Sequence, residues 1–214
     1  EFINDTFKRT DRYNGGFLKG SRTSDNIFIL QGLIERQLLL GQQLIVIFVD
    51  FSKAFDMINR NILFYKLVKS GLHGRVIDTL RNLYSKTMYR IKYQGMLSEP
   101  IEEHIGVNQG ENTSPLLFRK YLADLKDYLD KHAGICIGDE ILLHELWADD
   151  LYMASHNTKS AHSQLNGLAA FCSPNQMLVN GIKTKIMVFG FPLDINLTFN
   201  GLPIEQVDRY KCLG

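Results

Sequence analysis

The chain has 214 residues, 45% of them hydrophobic and 22% charged, which suits one sizeable core or two small lobes and excludes a disordered chain. The formal net charge of +1 brings no basic excess, so composition announces no nucleic-acid partner and local clusters must carry any such claim. The longest apolar run spans six residues, against roughly 20 for a membrane span, so no membrane partner is expected.

Three widely spaced cysteines, Cys136, Cys172 and Cys212, form no CxxC pair and no metal-ligand spacing, which points to a reducing intracellular compartment, cytoplasm or nucleus. The chain opens on Glu1 without a signal peptide and stops inside a patterned stretch at Tyr210-Lys-Cys-Leu-Gly214, as a piece cut at both ends would.

Along the chain, Gly15 to Thr23 reads as a loop. Thr23 or Ser24 then caps a helix whose apolar positions Ile27, Leu30, Ile34 and Leu38 repeat at helical spacing until Gly41. Leu44 to Val49 is a β-branched and aromatic run of strand length, predicted to be fully buried. Helices are predicted from Asn59 to Lys69, closed by Gly71, and from Arg75 to Tyr84. Residues 88–105 read as a hairpin turning at Gly95.

Ser114-Pro115 is a strong helix start, and Leu116, Phe118, Leu122, Leu125 and Leu129 give that helix an apolar stripe. Leu142 to Trp147 and Leu151 to Ser155 form the apolar arms of a hairpin around Ala148-Asp-Asp150. Thr158 caps a helix to about Phe171, and Lys185 to Phe189 is a last strand. Interleaved strands, helices and hairpins predict an α+β fold, an antiparallel sheet covered by helices on one face.

Asp50 closes the most hydrophobic strand, and Asp149 and Asp150 cap a hairpin with apolar arms. Acids at the ends of buried strands are costly unless something neutralises them. Brought together in one sheet they make an oxygen-rich site suited to Mg2+. Two such ions roughly 3.5–4 Å apart can clamp the attacking and leaving oxygens of a phosphoryl displacement. The same acids also read as solvent-facing turn residues, and at this point both readings stand.

Between Thr79 and Ser98 there is no acid, but Arg81, Lys86, Arg90 and Lys92 interleave with Tyr84, Tyr89 and Tyr93. Cations bind phosphates and aromatic faces stack on bases, although an ordinary surface hairpin alternates in the same way. Arg22 and Lys19 in the early loop are further candidates.

Five segments in register carry a resemblance. They are Phe48-Val-Asp-Phe-Ser-Lys-Ala-Phe-Asp56, Gly106-Val-Asn-Gln-Gly-Glu-Asn-Thr-Ser-Pro115, Trp147-Ala-Asp-Asp150, Val179-Asn-Gly-Ile-Lys-Thr-Lys185 and Tyr210-Lys-Cys-Leu-Gly214, preceded by Gly16-Phe17 and Gly20-Ser-Arg-Thr23. In this order they resemble the reverse transcriptases of non-LTR (LINE-type) retrotransposons. Trp147 stands where that family has Tyr or Phe, Glu111-Asn-Thr113 departs from its usual segment, and Arg119 replaces a small polar residue.

The resemblance implies a right-hand polymerase fold with partial fingers (1–43 and 57–112) and a palm with the start of a primer grip (44–56 and 113–214). The fingertip hairpin would precede residue 1 and the thumb would follow Gly214. It implies RNA-directed DNA polymerisation from dNTPs with an RNA template and a DNA primer, using Mg2+, with Mn2+ as a substitute. Asp50, Asp149, Asp150 and the backbone of Phe51 would hold the metals, and Lys183, with Lys185 as second choice, would protonate the leaving pyrophosphate.

Phe51, Phe55, Gln109 and Gly110 would bind the nucleotide, with Phe55 against its sugar. Arg22, Arg81, Lys86, Arg90, Lys92, Trp147 and Tyr210 would meet nucleic acid. A homodimer through the cut edges is a further expectation. Two other functions fit parts of the pattern: a catalytically inactive scaffold of the same fold that binds nucleic acid or protein, and another palm-type enzyme such as a nucleotidyl cyclase. The cyclase leaves Gln109 with Ser114-Pro115 unexplained.

Overall fold

A computed structural model describes residues 14–16, 20–108, 110–111 and 113–212. In chain order the elements are α1 (Thr23–Leu39), β1 (Leu44–Val49), α2 (Arg60–Lys69), α3 (Arg75–Tyr84), β2 (Met88–Tyr89), β3 (Lys92–Tyr93), β4 (Met96–Leu97) and β5 (Ile101–Glu102). They continue with α4 (Ser114–Leu122), β6 (Ile135–Ile137), β7 (Glu140–Leu142), β8 (His144–Trp147), β9 (Asp150–Ser155), α5 (Thr158–Cys172), β10 (Lys185–Phe189), β11 (Thr198–Phe199), β12 (Leu202–Pro203) and β13 (Glu205–Gln206).

The apolar run of β1 takes the centre of a five-stranded sheet ordered β13-β10-β1-β9-β8, and all six of its residues are buried. Only a central position satisfies the backbone of such a strand, because antiparallel β10 and β9 take its hydrogen bonds on either side. The sheet is antiparallel except at its edge, where β13 pairs parallel to β10.

On one face Ile45, Ile47 and Val49 pack with Leu63 and Leu67 of α2, Phe118 and Tyr121 of α4, and Leu165, Leu168 and Phe171 of α5. Each such side chain withdrawn from water contributes about 1.5–3 kcal/mol. The other face is not bare: Leu44, Val46 and Phe48 pack with Leu33 of α1, Tyr152 and Tyr210. Helices therefore lie on both faces, not one.

Local signals explain most boundaries. Asn59 caps α2 by accepting from the Asn61 and Ile62 amides, at 2.9 and 3.2 Å. Asn157, not Thr158, caps α5 by accepting from the Ser160 amide. At α1 neither Thr23 nor Ser24 is the cap; the Asp25 carboxylate accepts the Arg22 amide at 2.8 Å, and the helix begins at Thr23. Gln94 and Gly95, both at positive φ, turn the β3–β4 hairpin.

The apolar pattern of α1 misplaces its buried face. Asn26, Leu33 and Gln37 are buried, whereas Ile27 and Leu38 are about half exposed, because the Asn26 side chain donates to the Leu146 carbonyl at 3.1 Å and fixes the rotation. The stripe predicted through Leu129 breaks at Leu122, after which only a short 3-10 turn at Leu125–Asp127 follows. Among the described residues no helix is long and apolar enough to cross a membrane.

Candidate active site

The register of the central strands brings two of the acids together. β1 alternates between the two faces, and Asp50 has the parity of Phe48, so it falls on the face opposite α2, α4 and α5. Phe48 pairs with Tyr152 and Val49 with Leu151, so the next position across from Asp50 is Asp150. In β8 Trp147 pairs with Asp150, which leaves Ala148 and Asp149 as the two-residue tip, Ala148 at φ +59°. Asp50, Trp147 and Asp150 thus share one face. Tyr210 joins them by stacking on Phe48, ring centroids 4.3 Å apart.

The electrostatics follow from this crowding. The Asp150 carboxyl is held above its usual range, first by desolvation and then by the charges of Asp149 and Asp50. Burial, followed by the charges of Asp150, Cys212 and Asp50, also pushes the Tyr210 hydroxyl up. The Cys212 thiol is pushed to about 11 by burial and by Asp150.

The backbone beyond Asp50 is anchored on its β10 side. Its amide donates to Thr184 Oγ1 at 3.3 Å and its carbonyl accepts from the Asn180 amide at 2.8 Å. The Ser52 amide donates to the Leu178 carbonyl at 2.8 Å, and Phe51 bridges antiparallel to Val179. Because strand amides alternate in direction, the backbone groups of Phe51 face the other way, toward the acid hairpin.

Asn180 folds the next loop on itself, its Oδ1 accepting the Ile182 and Lys183 amides. That turn carries Lys183 Nζ to 3.7 Å from Asp50 Oδ1. The lysine is two-thirds exposed, so the pair contributes little to stability and remains available to a ligand. Lys185 is instead paired with Glu205 on the neighbouring edge strand.

Phe55, half-buried, stacks on Phe118 of α4 with ring centroids 4.4 Å apart. Gly110 is exposed at φ +94°, a conformation that favours glycine. Gln109, Lys19, Phe17, Asn112, Leu213 and Gly214 lie outside the described residues.

Tyr84 is buried, its hydroxyl 3.3 Å from both Ser114 Oγ and Glu111 Oε2, so it cannot stack on a base. Tyr89 and Tyr93 are exposed on the β2–β5 hairpin beside Arg90 and Lys92, with Lys86 exposed just before it. Arg81 lies over the Phe64 ring, and Arg22 is exposed at the start of α1. All of these stand outside the five-stranded sheet.

Two supports were not foreseen. Gly15 donates to the Leu146 carbonyl at 3.0 Å, and Asn14 bridges parallel to Leu146, so residues 14–16 brace the acid hairpin. Arg60 is a hub of hydrogen bonds behind Phe55; a cation at the first position of a helix opposes the helix dipole, and that anomaly is its signal in the sequence.

An antiparallel sheet with three helices packed on one face, and acids on adjacent strand ends of the other, defines the polymerase-palm class of α+β folds. The chain belongs to the reverse transcriptase family: the family described as "Reverse transcriptase (RNA-dependent DNA polymerase)" matches residues 4–214.

Among curated relatives, the chain is 25% identical over 168 residues to the Pol polyprotein of the type-2 retrotransposable element R2DM of Drosophila melanogaster, covering 78% of the chain and 16% of that protein. It is 22% identical over 160 residues to that of a type-1 element R2 of Nasonia vitripennis, covering 75% and 16%. The chain therefore spans about a sixth of the length of these relatives. The resemblance to non-LTR retrotransposon enzymes is borne out.

Solved structures share the fold. Apo telomerase from Candida tropicalis superposes with a TM-score of 0.60 at 15% identity, covering 94% of the chain and 41% of the telomerase. Telomerase from Candida albicans, solved with a fragment of telomeric RNA, gives 0.57 at 13% identity, covering 94% and 36%.

Enzymes of this family use divalent metal ions. The donors here fit such an ion in chemistry, being hard carboxylate oxygens, with Asp150 already raised by desolvation and then by the charges of Asp149 and Asp50. Among the described residues, however, no three His, Cys, Asp or Glu side chains stand close enough together to hold a metal ion.

Proposed function

We propose that the chain is the fingers-and-palm part of an RNA-directed DNA polymerase that joins a dNTP to the 3′-hydroxyl of a DNA primer on an RNA template. The observation that carries this is the convergence of Asp50 and Asp150, with Asp149 at the tip, on one sheet face beside Lys183, in a chain of this family. The five sheet strands all fall within 44–56 and 113–214, in keeping with a palm there and fingers over 1–43 and 57–112.

Asp50, Asp149, Asp150 and the Phe51 carbonyl would hold a divalent cation, Mg2+ or Mn2+ in its place, which would supply charge neutralisation at the phosphates and a more reactive primer hydroxyl. Lys183 donates a proton to the departing pyrophosphate. Phe55, fixed by its stack on Phe118, closes the space a 2′-oxygen would need. Gln109, with Gly110 allowing close backbone approach, would sit against the incoming nucleotide.

Trp147 and Tyr210 offer aromatic faces to the primer end. Arg22, Arg81, Lys86, Arg90 and Lys92 hold phosphates, with Tyr89 and Tyr93 beside them. The three cysteines are free thiols, as an intracellular location in cytoplasm or nucleus allows.

One observation favours the inactive scaffold instead: the carboxylates are not already gathered into a three-donor group. Electron paramagnetic resonance of Mn2+ with dNTP, in the chain and in Asp50→Asn and Asp150→Asn, separates the two. Tight binding lost in both variants supports the polymerase reading; equal binding in all three proteins would sink the metal assignment.

A further inference from the structure

We propose that Arg60 is a positioning residue for nucleotide selection, tying the β2–β5 hairpin to the segment at Gly106 and Val107 that meets Phe55. This rests on the polymerase reading above.

Arg60 is buried, and all three of its guanidinium nitrogens are hydrogen-bonded. Nε donates to the Gly106 carbonyl at 2.8 Å. Nη1 donates to the carbonyls of Glu103 at 2.6 Å and Tyr84 at 3.0 Å, and to Thr87 Oγ1 at 2.8 Å. Nη2 meets Glu103 Oε2 at 3.0 Å, and the group lies over the Tyr84 ring. Only the five-donor fork of arginine can join α3, both ends of the hairpin and the segment beyond it in this way; lysine has three donors at a single point.

The segment it grips is the one that meets Phe55. The Gly106 amide donates to the Ile58 carbonyl at 2.7 Å and the Val107 amide to the Phe55 carbonyl at 3.0 Å. The approach is so close that a Cβ at position 106 would lie 2.8 Å from the Asp56 carbonyl oxygen. Two residues later the chain passes through Asn108, whose side chain is held by Glu111 at 2.6 Å, into the Gly110 loop. Arg60 therefore fixes the segment that pairs with the Phe55 backbone, and with it the ring that the polymerase reading sets against the sugar. It acts through position alone.

The test compares Arg60→Lys and Glu103→Gln with wild type and with Leu165→Ala, a core truncation in α5. Steady-state incorporation is measured with dNTP and rNTP, and amide hydrogen exchange is followed at Gly106 and Val107. Arg60→Lys is expected to raise KM for dNTP on the order of ten-fold with a smaller change in kcat, and to narrow the deoxy-to-ribo preference, since an ångström of misplacement can cost up to about a hundred-fold.

Glu103→Gln moves in the same direction by less, and Leu165→Ala leaves the sugar ratio unchanged. Exchange at Gly106 and Val107 quickens in Arg60→Lys beyond any global change. An unchanged sugar ratio, or one that falls equally in Leu165→Ala, overturns the proposal. If the wild-type chain incorporates nothing, the polymerase reading fails; exchange then decides alone, with local loss of protection supporting the clamp and unchanged protection overturning it.

Discussion

Gly16 sits against the acid hairpin, and its replacement by alanine is the sharpest probe of what holds that hairpin in place. A Cβ there would lie 2.3 Å from the Ala148 amide nitrogen, 3.0 Å from its Cα and 3.1 Å from Asn14 Oδ1. Ordinary non-bonded contacts lie near 3.5–4.0 Å, so one backbone must retreat by about 1 Å. Neither is free to do so. The Gly15 amide and the Asn26 side chain both donate to the Leu146 carbonyl, the Gly16 amide donates to Asn14 Oδ1 at 3.0 Å, and Ala148 already holds a positive φ.

Overpacking costs about 1–3 kcal/mol and each lost hydrogen bond about 0.5–1.5 kcal/mol, so Gly16→Ala should cost about 2–4 kcal/mol. At about 2–4 °C per kcal/mol for a chain of this size, Tm falls by roughly 5–15 °C. A tip displaced by about 1 Å also lowers turnover by up to about a hundred-fold.

Gly32→Ala is the contrast. It lies within α1, its Cβ would meet nothing within 4 Å, and it should gain about 0.5–1 kcal/mol from helix propensity. Scanning calorimetry and single-nucleotide incorporation on both variants test the argument. A Gly16→Ala protein that melts and turns over like Gly32→Ala would refute it.

Three further outcomes are expected. Because the folded Asp150 carboxyl is raised, its contribution to stability is present below the usual aspartate range and is lost as pH rises through the raised value. Asp150→Asn should therefore melt above wild type near neutral pH while incorporating less nucleotide, and that advantage should vanish in acid; thermal melts across pH that show no neutral-pH gain contradict it. Lys183→Ala should lower kcat roughly a hundred-fold with little change in KM, partly restored by Lys183→Arg, and rapid-quench kinetics with an unaltered chemical step would remove the proton-donor role. Replacing Arg90 and Lys92 by alanine should flatten the salt dependence of RNA–DNA hybrid binding by about 0.9 in log–log slope per lost phosphate contact, and an unchanged slope in titrations would take the hairpin off the duplex.

Much of this fold is legible in the sequence, and the exceptions have physical causes. β1 announces itself because a six-residue apolar run can satisfy its backbone only at a sheet's centre, and Lys185 to Phe189 reads correctly beside it. The capped helices and the Gln94-Gly95 turn also follow from local chemistry.

What fails is whatever depends on distant partners. The rotation of α1 is decided by Asn26 reaching Leu146, 120 residues away, against the apolar pattern. The two- and three-residue strands β6, β7, β11, β12 and β13 are too short to show a period, and the parallel pairing of β13 with β10 has no local signature. Tyr84 looks like one of three interleaved aromatics, yet its hydroxyl finds Ser114 and it turns inward. At the site, the acids are readable as residues that need neutralising. That Asp150 is the one set across from Asp50 follows only from the strand register.

The most direct measurement is extension of a DNA primer on an RNA template with Mg2+ and dNTPs, comparing the chain with Asp50→Asn and Asp149→Asn. Incorporation by the chain is expected, and it should disappear in both variants. Wild-type rates in either variant would contradict the assignment of the carboxylates.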